Sequence, residues 1–143
     1  MAEQVYFETV KEGTVLPEIK KDVSSQQLVQ WAAASGDFYQ IHYDKEFAIG
    51  TGLDGVIVHG ALKHALLGQL LHEWIAPAGR IKRIAVQYRG MDVPGKPYWL
   101  RGRVTKTYQQ DGENLVDIEI SGENENGQKT TPGTATVTLP SRG

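Results

Sequence analysis

Asp37 and His42 are the residues whose types and spacing most readily suggest acid–base chemistry. They stand in the run Ser35-Gly36-Asp37-Phe38-Tyr39-Gln40-Ile41-His42-Tyr43-Asp44. A carboxylate and an imidazole that meet at one water can both exchange protons with it near neutral pH. Their separation does not by itself bring them together. Five positions turn an α-helix through about 140°, and an odd spacing on a strand sends side chains to opposite faces. Convergence therefore demands a turn, and Gly36 offers a place to leave a helix. The same residues also fit a simpler arrangement, in which Asp37 caps a turn and His42 is a half-buried histidine.

Few other residues compete for chemistry. Cysteine is absent, which excludes disulfides, zinc–thiolate sites and cysteine nucleophiles and leans towards a reducing compartment. His59 and His64 are five apart rather than four, and no H-E-x-x-H occurs, so no metal is expected. His64 and His72 read as helix-surface or partly packed histidines. Ser24, Ser25, Ser35 and Ser121 lack a nucleophile-elbow context, and glycine-rich nucleotide fingerprints are missing. Arg80, Lys82, Arg83 and Arg89 form either a solvated basic edge or a contact for the phosphates of a carrier arm.

The elements that must position Asp37 and His42 divide the chain into a helical first half and a strand-rich second half. Ser24-Ser25-Gln26-Gln27 before Leu28, Val29, Trp31 and Ala32 predicts a capping box opening an amphipathic helix, with Ser35-Gly36-Asp37 ending it. Asp44 is placed to cap a short helical turn through Ala48. The longest helix signal runs from about Gly60 to Ile75 and carries Leu62, Leu66, Leu67, Leu70, Leu71, Trp74 and Ile75. Its polar residues are scattered, which predicts burial around much of its circumference. Strands are predicted at 81–88, 98–107, 115–120 and 134–139, separated by Pro-, Asn- and Gly-bearing turns, with a further one near Val5–Val10. One buried helix with four or five antiparallel strands implies an α+β layer.

The run around Asp37 resembles the motif of the MaoC-like family of (R)-specific enoyl-CoA hydratases and 3-hydroxyacyl-thioester dehydratases. The family pattern S-G-D-x-N-P-[I/L]-H-x-D followed by H-G-M-L stands here as S-G-D-F-Y-Q-I-H-Y-D followed by H-G-A-L. Similarity extends from Val10-Lys11-Glu12-Gly13 through Val93-Pro94-x-Gly to the last strand. The resemblance implies a single hot-dog domain over residues 1–143, with an antiparallel sheet wrapped around a long central helix. It implies that Asp37 and His42 bind and activate the water. It matches Gly60 to the glycine whose backbone N–H holds the thioester oxygen, at a helix start where free N–H groups favour negative charge. His59, beside it, is expected to orient that loop. Lys63 and His64, one turn further on, are expected to matter far less than Gly60. Two departures stand out. Tyr39-Gln40 replaces Asn-Pro, and Gly68 stands where some relatives carry a serine.

The composition agrees with an ordinary globular protein. The chain has 143 residues, 40% hydrophobic and 22% charged, with 15 basic and 17 acidic side chains giving a net charge of −2. That balance is unlike a nucleic-acid binder. The start lacks a signal-peptide pattern and no stretch approaches a membrane span, so a cytoplasmic location is expected. The resemblance implies hydration and dehydration of 2-enoyl and (R)-3-hydroxyacyl thioesters on CoA or acyl carrier protein, without a cofactor. It further implies a homodimer or higher oligomer, or a heteromer with a homologous subunit. A hot-dog thioesterase and a non-catalytic partner subunit are the alternatives.

Overall fold

Five antiparallel strands and three α-helices make up the computed structural model, which describes residues 3–143. The strands are β1 (Ile19–Asp22), β2 (Arg80–Val86), β3 (Pro97–Gln110), β4 (Glu113–Glu123) and β5 (Lys129–Thr138), and the helices are α1 (Ser25–Ser35), α2 (Lys45–Gly50) and α3 (Gly60–Ile75). The sheet order is β1-β3-β4-β5-β2, all neighbours antiparallel. Register shifts at Ile81/Arg83, Val104/Lys106 and Gly122/Glu123 mark bulges. Bulges bend and twist a sheet, which lets this one curl around α3.

The core lies between α3 and the concave face of the sheet. Leu66, Leu67, Leu70 and Leu71 of the helix meet Leu100, Val104, Val116, Ile118, Ile120 and Val137, all buried. Fully burying each of these aliphatic side chains is worth roughly 1.5–3 kcal/mol, so this layer fixes where α3 begins and ends. The burial of α3 is one-sided, however. Ala61, Ala65, His72 and Glu73 are exposed, so the helix carries a small-residue stripe as well as an apolar face. Five strands cannot close around a whole helix.

Two further elements depart from expectation. Val5–Val10 does not form a strand, and Phe7–Thr9 is a 3-10 turn. Thr9 N–H donates to Tyr6 O at 3.0 Å and Val10 N–H to Phe7 O at 3.2 Å, Phe7 N–H donates to Pro140 O at 3.0 Å, and Val5 and Phe7 rest on the core. The fifth strand is instead β1, Ile-Lys-Lys-Asp, which has no apolar alternation to announce it. It exists because residues 97–100 of β3 offer it a pairing edge.

Candidate active site

Asp37 reaches its position through the end of α1. Ser24 Oγ caps the start of that helix, accepting from Gln27 N–H at 3.1 Å. Gly36 closes it in the left-handed region at φ 79°, donating to Ala32 O at 2.9 Å; an L side chain there would be strained. Asp37 N–H then donates to Ser35 Oγ at 3.2 Å, and Asp37 Oδ1 accepts from Tyr39 N–H at 3.3 Å. A 3-10 turn over Gln40–His42 follows, and Asp44 Oδ1 caps α2 through Phe47 N–H at 3.0 Å. The two arrangements open to Asp37 coexist. One carboxylate oxygen caps the turn, and the other, Oδ2, lies 3.9 Å from His42 Nε2.

His42 is buried and tightly oriented. Its Nδ1 is 2.8 Å from the carbonyl of Ile57, and a carbonyl only accepts, which assigns the proton to Nδ1. The Nε2 lone pair therefore faces Asp37. The 3.9 Å gap is too long for a direct hydrogen bond but is spanned by one water at ordinary lengths. His42 is also stacked on His59, with ring centroids 3.8 Å apart and planes 22° from parallel. His59 has no exposed surface. Burial, and then the prospect of charge on His42, lower its pKa, so His59 is a neutral partner near pH 7. Its Nε2 is 3.3 Å from Asp37 O, and its Nδ1 has no partner among the described residues.

Gly60 is the first residue of α3, directly after His59, whose side chain makes no capping bond. The first N–H groups of a helix lack intrahelical acceptors, so they are available to an incoming oxygen. A cleft of about 380 Å³ opens here, lined by His42, Ile57, Gly60, Lys63, Tyr88 and Met91 among others. The Tyr88 ring lies over Gly60, 3.1–3.2 Å from where a Cβ would stand. Asp37, His42, His59 and Gly60 are thus brought together from two segments.

Lys63, expected to matter far less than Gly60, is buried. It is 2% exposed, and its Nζ donates to Asp92 Oδ2 at 2.8 Å and to Gly90 O at 2.9 Å. Its place in sequence carries the signal. Residues 63, 66, 67 and 70 share one helical face, and a lysine in a row of buried leucines demands a buried partner. Which residue that would be, Asp92, had no local signal. His64 is half-buried and His72 exposed.

The donor atoms of Asp37, His42 and His59 lie within 4.8 Å of one another. Ring lone pairs lie in the ring planes, so stacked imidazoles aim past each other rather than at one ion, and His42 Nδ1 is taken by Ile57. The arrangement suits a water better than a metal. Of the basic residues, Lys82 pairs with Glu113 at 2.9 Å, Arg83 Nη1 donates to Thr134 Oγ1 at 3.3 Å, and Arg89 bonds Gln87 Oε1. Arg89 is also part of the cleft wall.

An antiparallel sheet curled on a long helix, with a carboxylate–imidazole pair at that helix's start, defines a hot-dog hydratase/dehydratase scaffold. The MaoC-like domain model matches residues 7–128, and the chain belongs to that family. The 3-oxo-4,17-pregnadiene-20-carboxyl-CoA hydratase beta subunit of Mycobacterium tuberculosis is 28% identical over 132 residues, covering 91% of this chain and 95% of the relative. Among solved structures, the ChsH1-ChsH2 complex of the same organism is similar at 25% identity and TM-score 0.79, over 90% of this chain and 98% of that one. The R-hydratase PhaJ1 of Pseudomonas aeruginosa shares the fold at TM-score 0.88 and 20% identity, over 97% and 88% of the two chains. Among the described residues no helix is long and apolar enough to cross a membrane.

Proposed function

We propose that this chain interconverts 2-enoyl and (R)-3-hydroxyacyl thioesters, with Asp37 and His42 as its acid–base pair and the Gly60 N–H as its oxyanion donor. The observation that carries this is the His42 geometry: Nδ1 tied to Ile57 O, Nε2 turned to Asp37 at 3.9 Å. Asp37 as carboxylate and His42 as neutral imidazole both accept, so a water between them donates both hydrogens and turns its lone pairs outward to C3. As the oxygen–C3 bond forms, Asp37 takes one proton. The C2–C3 π pair moves towards the thioester oxygen, where Gly60 N–H meets the growing charge. A proton returned by the pair to C2 completes the addition, and the reverse sequence is dehydration. The thioester itself makes the alkene electrophilic, so no cofactor or metal enters the steps.

The 143 residues then act as one hot-dog domain, in the cytoplasm, on a CoA- or carrier-protein-bound acyl group. The sheet order leaves β1 and β2 as edges, and open edges invite pairing. A homodimer, or a heteromer with a homologous subunit, follows. The relative named a beta subunit favours the heteromer as a second form of the same proposal. Mixing the pure protein with a panel of enoyl-CoAs and following loss of the conjugated double bond tests the activity. Turnover supports it, and inactivity alone and with every homologous subunit tried would leave a binding subunit. A scattering mass near the chain's 15.8 kDa at micromolar concentration would contradict the dimer.

A further inference from the structure

We infer that Lys63 is a positioning residue for the Gly60 N–H, bolting the start of α3 to the opposite wall of the cleft; the inference rests on Gly60 being the oxyanion donor. Lys63 is one helical turn beyond Gly60, and its N–H makes an early bond of the helix, to His59 O at 3.2 Å. Its ammonium crosses to the segment carrying Tyr88, Gly90 and Met91, reaching Gly90 O at 2.9 Å and Asp92 Oδ2 at 2.8 Å. Asp92 closes the ring from the other side. Its carbonyl accepts from Val58 N–H at 2.8 Å, two residues before Gly60.

The wall is itself anchored. Asp92 Oδ2 accepts a second bond from Thr130 Oγ1 at 2.6 Å, and Arg89 N–H donates to Thr130 O at 2.8 Å. A Cβ at Gly90 would come within 2.8 Å of Thr130 Cγ2, so the wall is pressed against β5 as closely as glycine allows. Lys63 and Asp92 are 2% and 7% exposed. Asp92 Oδ1 has no partner among the described residues, which leaves Lys63 as the charge that compensates this carboxylate. A buried pair of this kind is seldom a net source of stability, but its fixed geometry can hold two segments in register. Here the segments are the donor and the wall that the thioester must pass between.

The test compares wild type, Lys63→Met, the apolar pair Lys63→Met/Asp92→Leu, and Lys20→Met as an exposed control. Amide exchange by NMR and hydration kinetics are read on each. The single variant is expected to speed exchange at the Val58 N–H, which donates to Asp92 O, by about tenfold or more relative to Leu67, because the ring that protects it opens. Its kcat is expected to fall by about 10–10²-fold with KM changed by less than about threefold, as misplacement of a transition-state group predicts. The apolar pair should regain thermal stability, since no charge is left unpaired, while its kcat stays low. Recovery of wild-type kcat by the apolar pair would overturn the inference, as would unchanged exchange at Val58 in Lys63→Met. The two proposals fail separately. A wild type inactive alone and with every homologous subunit tried, whose Lys63→Met variant still shows faster exchange at Val58, defeats the hydratase assignment and leaves the positioning intact.

Discussion

The two halves of the candidate site are held by opposite means. The Asp37 loop is held by its neighbours in sequence: Ser35 Oγ takes Asp37 N–H, Asp37 Oδ1 takes Tyr39 N–H, and Tyr43 OH donates to Phe38 O at 2.9 Å. Its aromatic side chains remain open to solvent, Phe38 being 57% and Tyr39 52% exposed. The His59–Gly60 turn is held from afar. Ile57 N–H donates to Ile41 O at 3.1 Å, Ile57 O accepts from His42, and Val58 N–H donates to Asp92 O. A loop held locally keeps its shape whatever surrounds it, whereas a turn held remotely exists only once the fold has formed. The proposed Asp37 base thus lies on the locally held half, whereas the His42 ring, oriented by Ile57 O, and the proposed Gly60 donor depend on contacts distant in sequence.

The sharpest way to separate the halves is to remove the chemistry of the first without touching its structure. Asp37→Asn preserves the shape of a side chain that is 45% exposed, so the variant should melt with wild type while hydration falls at least about 10²-fold. Near-wild-type turnover would end the proposed mechanism. Gly60→Val attacks the second half. Its Cβ would press on the Tyr88 ring at 3.1 Å and crowd the donor, for an expected loss of about 2.7–4 kcal/mol in kcat/KM. His64→Ala, nearby on the helix, should change little. If Gly60→Val kept full activity while His64→Ala lost it, the oxyanion site would move to His64. Circular dichroism and light scattering would first confirm folding and assembly.

His59 joins the halves, because it stacks on His42 and approaches Asp37 O. Its folded pKa is lowered from 6.5 by burial, so below about pH 6.5 the unfolded chain binds the proton more readily than the folded one. Stability is then full above about pH 6.5 and declines as pH falls through the lowered folded value. His59→Gln, which cannot titrate, should lose less melting temperature than wild type between neutral pH and pH 5. Equal losses would show that other groups govern the acid limb. The smallest effect belongs to Gln40→Pro. Gln40 opens the 3-10 turn, and Tyr39 before it already has φ −64° and ψ 123°, a conformation that proline accepts in its predecessor. A gain of about 0.4–1 kcal/mol with unaltered turnover is expected. A destabilised variant would show that the turn needs the Gln40 side chain or N–H.

That prediction bears on the departures from the family pattern. Without Asn-Pro, the turn is supported by aromatic edges, the Tyr39 ring meeting His42 at 6.3 Å and Phe47 at 6.1 Å. At Gly68 a Cβ would meet nothing within 4 Å, so the missing serine leaves room beside α3. The aromatic contacts brace the Asp37 loop, whereas Gly68 lies on the stripe of α3 that carries the exposed Ala61, Ala65 and His72.

Sequence by itself determined the elements whose causes are local. Ser24, Gly36 and Asp44 set helix ends through bonds or backbone conformations a few residues away, and the density of apolar residues over 60–75 marks α3 as a buried helix. The Asp37–His42 run was legible through its resemblance to a family motif, since the spacing alone left both a turn cap and an acid–base pair open. Tertiary structure alone decided what depends on partners distant in the chain. It made Ile19–Asp22 a strand by offering the edge of β3, and it left Val5–Val10 out of the sheet, with Phe7–Thr9 a 3-10 turn beside the core. It exposed one stripe of α3, stacked His59 on His42, and buried Lys63 against Asp92, 29 residues away. Hydrogen bonds and charges are satisfied wherever the folded chain brings their partners, and spacing along the sequence carries no record of that meeting.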